Sequence, residues 1–191
     1  MRIIAGELRG RRIGAPPGRA TRPMLDRVRE ALFSTLQPWL RDAVVLDLFA
    51  GSGSLGLEAL SRGARHVRMV ERGPRALTTL RKNVDTLGVR DRVEIVVGDA
   101  LKPSTWLPTV DVALLDPPYA LLEDERPRVL GALAGIVSEH LAPDGIAVLH
   151  VPHGALTDAE LPVGSARVRR YGTNDLWYVE PGASPDPGTS P

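Results

Sequence analysis

Residues 43–63, AVVLDLFAGSGSLGLEALSRG, pass from an apolar run through a glycine turn into a helix. The run at 43–50 has the length of a strand, and continuous apolar runs suit parallel strands covered on both faces. The helical pattern that follows stops near Gly63. The same change of period recurs downstream. HVRMVE (66–71) reads as a second strand. PRALTTLRKNVDTLG (74–88) reads as a helix, with Leu77, Leu80, Val84 and Leu87 on one side and Gly88 beyond its end. RVEIVVGDA (92–100) and VDVALLD (110–116) are strands three and four. RPRVLGALAGIVSEHL (126–141) is helical, and Pro143-Asp144-Gly145 turns the chain into a fifth strand, GIAVLHV (145–151). ARVRRYG (166–172) and DLWYVE (175–180), joined by a tight turn around Gly172, Thr173 and Asn174, predict an antiparallel hairpin at a sheet edge. The alternation predicts an α/β doubly wound, mostly parallel sheet. A terminal hairpin is what a class I methyltransferase (Rossmann-like) sheet gives, whereas a flavodoxin-like sheet ends in a helix.

Upstream of this body, DRVREALFSTL (26–36) predicts a helix capped by Asp26, with Val28, Ala31, Leu32 and Leu36 on one face and Pro38 at its end. RIIAGELRGRRIG (2–14) suits a small hairpin with basic turns, and APPGRATRP (15–23) an irregular linker. The expected organisation is a basic N-terminal extension at 1–22, a catalytic domain at 23–180 and a disordered tail at 181–191.

The chain has 191 residues, 43% of them hydrophobic, which fits one globular domain. Its net charge of +1 is uninformative, but residues 1–22 hold six arginines (Arg2, Arg9, Arg11, Arg12, Arg19, Arg22) against Glu7 alone. A local basic patch on a near-neutral body is an electrostatic footprint for nucleic-acid phosphate, with Arg9, Arg11 and Arg12 its candidate contacts. The absence of cysteine excludes disulfides, thiolate metal sites and cysteine nucleophiles. Residues 1–20 lack the apolar stretch of a secretory signal, and no run reaches membrane-spanning length, so a soluble cytoplasmic protein, without membrane or metal and taken as a monomer, is expected. His150 and His153 lie three apart, but Pro152 and the strand pattern argue against a metal site. Trp39, Trp106 and Trp177 read as packing residues, and Glu123, Asp124 and Glu125 as a solvated loop.

Two loops carry the chemistry. Gly51-x-Gly53-x-x-Gly56 opens a helix after strand one, where unpaired N–H groups and permissive backbone admit a ligand. Glu71, at the end of strand two, can accept two ribose hydroxyls. Both features also fit a dinucleotide site. Asp47 separates the readings: a carboxylate before the loop suits the cationic amino-acid end of S-adenosylmethionine and repels a pyrophosphate. Asp99 in Gly98-Asp99-Ala100 can accept an adenine amino group. The second loop, Asp116-Pro117-Pro118-Tyr119, follows strand four, on the side where open α/β sheets bind ligands. An exocyclic base amine is a poor nucleophile because its lone pair is delocalised. The Asp116 carboxylate and the proline-held Pro117 carbonyl can accept both amine hydrogens and stabilise the charge that grows as a methyl arrives. Tyr119 can stack on the base.

These residues, in the order RIIAGELRGRRI, TRPMLDRVREALFSTL, DLFAGSGSLGLEAL, Glu71, GDA and DPPY, resemble the bacterial small-subunit ribosomal-RNA guanine-N2 methyltransferases, the RsmD family. The resemblance covers nearly the whole chain up to Glu180. It implies S-adenosylmethionine-dependent methylation of a guanine N2 in 16S ribosomal RNA, naked or within a small-subunit particle. It implies cofactor contacts from Thr21, Arg22, Asp47, Phe49, Gly51, Gly53, Glu71, Asp99 and Ala100, and amine chemistry at Asp116, Pro117 and Tyr119. Met24-Leu25 departs from the small hydroxyl residues that relatives often carry. The residues themselves reach base-amine methylation without choosing guanine over adenine, so an adenine-N6 methyltransferase is the near rival. A non-catalytic nucleic-acid-binding module and a nicotinamide-dependent oxidoreductase are the more distant ones.

Overall fold

The computed structural model describes residues 1–15, 24–102, 108–161 and 164–182. Seven strands form one sheet: β1 (Val44–Leu48), β2 (His66–Glu71), β3 (Val93–Val97), β4 (Val110–Leu115), β5 (Leu141–Pro152), β6 (Ser165–Tyr171) and β7 (Asn174–Glu180), in the order β3-β2-β1-β4-β5-β7-β6. The first five run parallel, and β7 pairs antiparallel to both β5 and β6. The chain turns outward in both directions from β1, so Leu48 lies beside both Val70 and Leu115. Such a switch point opens a crevice above the carboxyl ends of the two central strands.

Helices α1 (Asp26–Leu40), α2 (Ser54–Ser61) and α3 (Pro74–Leu87) cover one face, and α4 (Tyr119–Asp124) and α5 (Arg126–Gly135) the other. Successive residues of β1 alternate between the two cores: Val45 packs with Leu32, Leu57 and Leu80, whereas Leu46 and Leu48 pack with Val129 and Leu133. This two-sided burial is why the central strand β1 is apolar at every position except Asp47.

The structure corrects several expected boundaries. Pro38 lies inside α1, which runs on to Leu40; the proline sits on the exposed side, where the Ser34 carbonyl it cannot bond faces water. Leu25, not Asp26, occupies the N-cap, and Asp26 instead pairs with Arg29 at 3.1 Å. β3 is shortened to Val93–Val97 by a single 3-10 turn at Arg90–Arg92. The expected helix over 126–141 ends at Gly135, followed by a wider turn of π type at Ile136–His140. Pro143, Asp144 and Gly145 fall within β5 rather than before it, because a register shift between Val110 and Val112 absorbs them. Glu123 and Asp124 belong to α4 rather than to a loop.

The N-terminal hairpin is reduced to one antiparallel bridge, Arg2 to Arg12. Residues 1–15 are nevertheless anchored on the helical layer. Ile3 and Ile13 are buried in the α1–α3 core. The fully buried Glu58 carboxylate accepts the Ile4 N–H at 2.7 Å, the Ala5 N–H at 3.0 Å and Arg62 Nε at 2.7 Å. Asn83 accepts the Gly14 N–H at 2.7 Å and donates to the carbonyls of Gly14 and Ser52, so the basic segment reaches the glycine loop through one side chain. Linker residues 16–23, Trp106 and the tail from residue 183 lie outside the described residues. Trp177 is buried in the sheet core, and Trp39 donates to the Asp144 carbonyl at 2.9 Å. Among the described residues no helix is long and apolar enough to cross a membrane.

Candidate active site

The two loops read from the sequence leave neighbouring strands. β1 ends at Leu48 and β4 at Leu115, paired in register, so the glycine turn and Asp116 rise side by side. Phe49 holds φ at +66°, a costly conformation for a residue with a Cβ. The Ala50 N–H donates to the Val70 carbonyl at 3.0 Å, and the Gly51 N–H to Glu71 Oε2 at 2.8 Å. Oε1 of the same carboxylate accepts the N–H groups of Arg72 and Gly73 at 2.9 and 2.6 Å. Glu71 therefore fastens the glycine turn to the end of β2 while its side chain borders the crevice.

Gly51 (φ +58°) and Gly53 (φ +82°) both require the left-handed region, for different spatial reasons. A Cβ on Gly51 would meet only the Phe49 carbonyl, at 3.9 Å, so this side of the turn is open to a ligand. A Cβ on Gly53 would lie 2.5 Å from Leu80 Cδ1, so that glycine exists for packing.

Asp47 is fully buried beneath α2. Its Oδ2 accepts the Gly56 N–H at 2.8 Å, and its Oδ1, also buried, has no hydrogen-bond partner. Burial pushes its pKa up from 3.8 to about 8, against the stabilising Gly56 bond; the negative charges of Asp116 and Glu71 push the same way. An orphaned carboxylate oxygen buried where the glycine turn enters α2 fits a cationic ligand group and opposes a pyrophosphate. On this test the residues fit S-adenosylmethionine.

Asp99 follows β3, and its Oδ1 accepts the Leu101 N–H at 3.1 Å. Two arginines flank its carboxylate, Arg128 at 3.6 Å and Arg72 at 4.0 Å. The neighbouring Ala100 is buried. Thr21 and Arg22 lie outside the described residues. Arg9, Arg11 and Arg12 are exposed on the N-terminal segment, and Arg11 donates to the Thr86 carbonyl at 2.8 Å. Arg9 also lines a 350 Å³ cavity with Arg2, Arg27 and Asp26.

In the second loop Pro117 is buried, Pro118 precedes the first turn of α4, and Tyr119 is 40% exposed. The Asp116 side chain is 27% exposed and meets His150 Nδ1 at 2.7 Å through Oδ1. His150 Nε2 lies 2.9 Å from Asn174 Oδ1, which also accepts the Tyr119 hydroxyl at 2.9 Å. The sequence singled out His150 only as a metal candidate and missed Asn174. The parallel register Leu115 to Leu149, which carries His150 next to Asp116, was the missing signal. Among the described residues no cluster suited to a metal ion is found.

Known proteins resemble the chain over most of its length. Residues 1–180 match the family model described as Conserved hypothetical protein 95. A Bacillus subtilis protein with the provisional name rRNA methyltransferase YlbH is 36% identical over 154 residues, 78% of this chain and 80% of that one. The Ribosomal RNA small subunit methyltransferase D of Haemophilus influenzae is 42% identical over 62% of this chain and 64% of its own length, a little under two thirds. A solved structure of Escherichia coli yhhF, provisionally described as a methyltransferase, superposes with a TM-score of 0.81 at 30% identity, covering 96% of this chain and 99% of that one.

Proposed function

The chain belongs to the family described as Conserved hypothetical protein 95, the RsmD family, and on that premise we propose that it methylates the exocyclic N2 amine of a guanine in small-subunit ribosomal RNA. The observation that carries the proposal is the pairing of β1 with β4, which sets the buried Asp47, with its orphaned oxygen, near enough to Asp116 for their charges to couple. S-adenosylmethionine, when bound, supplies an electrophilic methyl on a sulfonium sulfur. Asp47 and the open side of Gly51 hold its cationic end, Glu71 its ribose hydroxyls, and Asp99 with Ala100 its adenine.

Asp116 and the Pro117 carbonyl accept the two amine hydrogens and turn the nitrogen lone pair out of the ring. Tyr119 packs on the base face and keeps the nitrogen in line with the methyl. Methylation makes the amine nitrogen acidic; Asp116 would stabilise the charge on it until its proton passes to water. The arginines of residues 1–15 contribute phosphate affinity, and a ribosomal substrate implies a cytoplasmic site of action.

The test is mass-spectrometric mapping of methylated nucleosides in 16S ribosomal RNA from cells with and without the protein, together with purified Asp116→Ala. The expected result is an N2-methylguanine present only when the protein is, and a variant that binds S-adenosylmethionine normally while turnover falls at least about 100-fold. Methylation appearing on adenine N6 would replace the guanine reading. Undiminished turnover in Asp116→Ala would remove the carboxylate from the chemistry.

A further inference from the structure

We propose that His150 is a positioning residue for the Asp116 carboxylate, and that it acts as an imidazolium, with Nδ1 donating to Asp116 and Nε2 donating to Asn174. Asn174 Nδ2 lies 3.3 Å from the Tyr171 carbonyl, so a reversed amide would set oxygen against oxygen there. That fixes Asn174 Oδ1 toward His150 Nε2, at 2.9 Å, and the same oxygen takes the Tyr119 hydroxyl. An amide oxygen only accepts, so Nε2 carries hydrogen.

The contact of 2.7 Å between Nδ1 and Asp116 Oδ1 then needs a second proton, because a bare ring nitrogen facing a carboxylate is repulsive. That proton resides on the imidazole, intrinsically more basic than an aspartate by about two and a half units. The ring is 5% exposed, and no neutral tautomer satisfies both ends of the chain. Burial pulls the His150 pKa down, but contact with Asp116 and Asn174 outweighs it and leaves the group above its ordinary 6.5.

The groups facing the ring are Asp116 at the end of β4, Asn174 on β7 and Tyr119 on α4, whose ring meets the imidazole edge-on at 6.2 Å. Asp175, next on β7, is occupied by His153 at 3.0 Å and Arg170 at 3.8 Å. With Oδ1 held, Asp116 is left one oxygen, Oδ2, for a substrate amine. Through Asn174 the same imidazolium also fixes the Tyr119 hydroxyl. Loss of its proton breaks one end of the chain, so the assembled arrangement exists below the His150 pKa and is lost as pH rises through it.

The positioning role rests on the methyl-transfer reading above; the charge state does not. The first measurement is therefore free of activity: ¹⁵N-imidazole NMR of the intact protein over pH 5.5–9, with His150→Gln identifying the resonance. The expected result is two protonated ring nitrogens and a midpoint above 6.5. A neutral imidazole at pH 6 overturns the proposal. The second measurement is the pH profile of kcat with 16S ribosomal RNA and with small-subunit particles. Wild type is expected to lose turnover as pH rises through the NMR midpoint. His150→Gln, which can still donate to Asp116 but cannot titrate, is expected to retain turnover at low pH and to lack this alkaline fall. His150→Ala is expected to drop kcat about 100-fold with the KM for S-adenosylmethionine unchanged. An alkaline fall that persists in His150→Gln, or wild-type kcat in His150→Ala, overturns the positioning role. If wild type methylates no RNA, the functional reading fails and the nitrogen shifts alone decide the charge state.

Discussion

Replacing Asp47 with asparagine tests the electrostatics on which the cofactor site depends. The carboxyl is fully buried, one oxygen bonds the Gly56 N–H at 2.8 Å, and the other has no partner. Its pKa is raised from 3.8 to about 8, so folding opposes its ionisation. The sign follows: below pH 4 the carboxyl is protonated in both states, and stability is undiminished. As pH rises toward 8 the unfolded chain ionises freely while the folded chain holds its proton, and stability falls. Between 3.8 and 7 the loss is about 4 kcal/mol, at about 1.4 kcal/mol per unit. The amide oxygen introduced by Asp47→Asn would accept the Gly56 N–H without titrating. The variant is therefore expected to match wild type well below pH 3.8 and to exceed it progressively, by several kcal/mol at pH 7.5, measured by urea unfolding. It is also expected to bind S-adenosylmethionine more weakly and without releasing the proton that wild type gives up when a cation meets the carboxylate; calorimetry in buffers of different ionisation enthalpy reads that proton. Parallel stability curves across this pH range would refute the reasoning.

Glu58→Ala would strand Arg62 and free two backbone N–H groups; a loss of about 3–5 kcal/mol is expected, with amide exchange rising first in residues 1–15. Gly53→Ala must force a Cβ to 2.5 Å from Leu80 at φ +82°, so a loss of about 3 kcal/mol is expected in thermal or denaturant unfolding. Substituting Arg9, Arg11 and Arg12 together by serine is expected to flatten the salt dependence of ribosomal-RNA binding by about two to three units of log–log slope, with folding unaffected; an unchanged slope would exclude them as phosphate contacts.

The order of elements and the two loops were legible because each depends on local pattern. A strand buried on both faces must be apolar throughout, and the turn at Gly51 and Gly53 demands positive φ. What stayed hidden depends on register. Pro143 to Gly145 carry strong turn signals, yet the pairing of Leu141 with Val110 draws them into β5. Glu58 reads as one more acid on an amphipathic helix, and only the docked N-terminal segment shows it to be a buried acceptor. His150 became informative only once the strand carrying it lay beside the strand before Asp116.

The same register explains how three carboxylates coexist around one crevice. Asp47, Glu71 and Asp116 repel one another, and each is accommodated differently. Glu71 is held by three backbone N–H groups, Asp116 by the His150 contact, and Asp47 by burial deep enough to keep its proton. Of the three, Asp47 is the one whose unpartnered oxygen is buried away from water, so it gains most from an incoming cation. A pyrophosphate there would add two negative charges where the third carboxyl is already protonated to avoid its own. An ammonium or sulfonium would supply the missing charge and allow Asp47 to ionise. These grounds support the proposed S-adenosylmethionine site over a dinucleotide site, although the glycine spacing alone fits both.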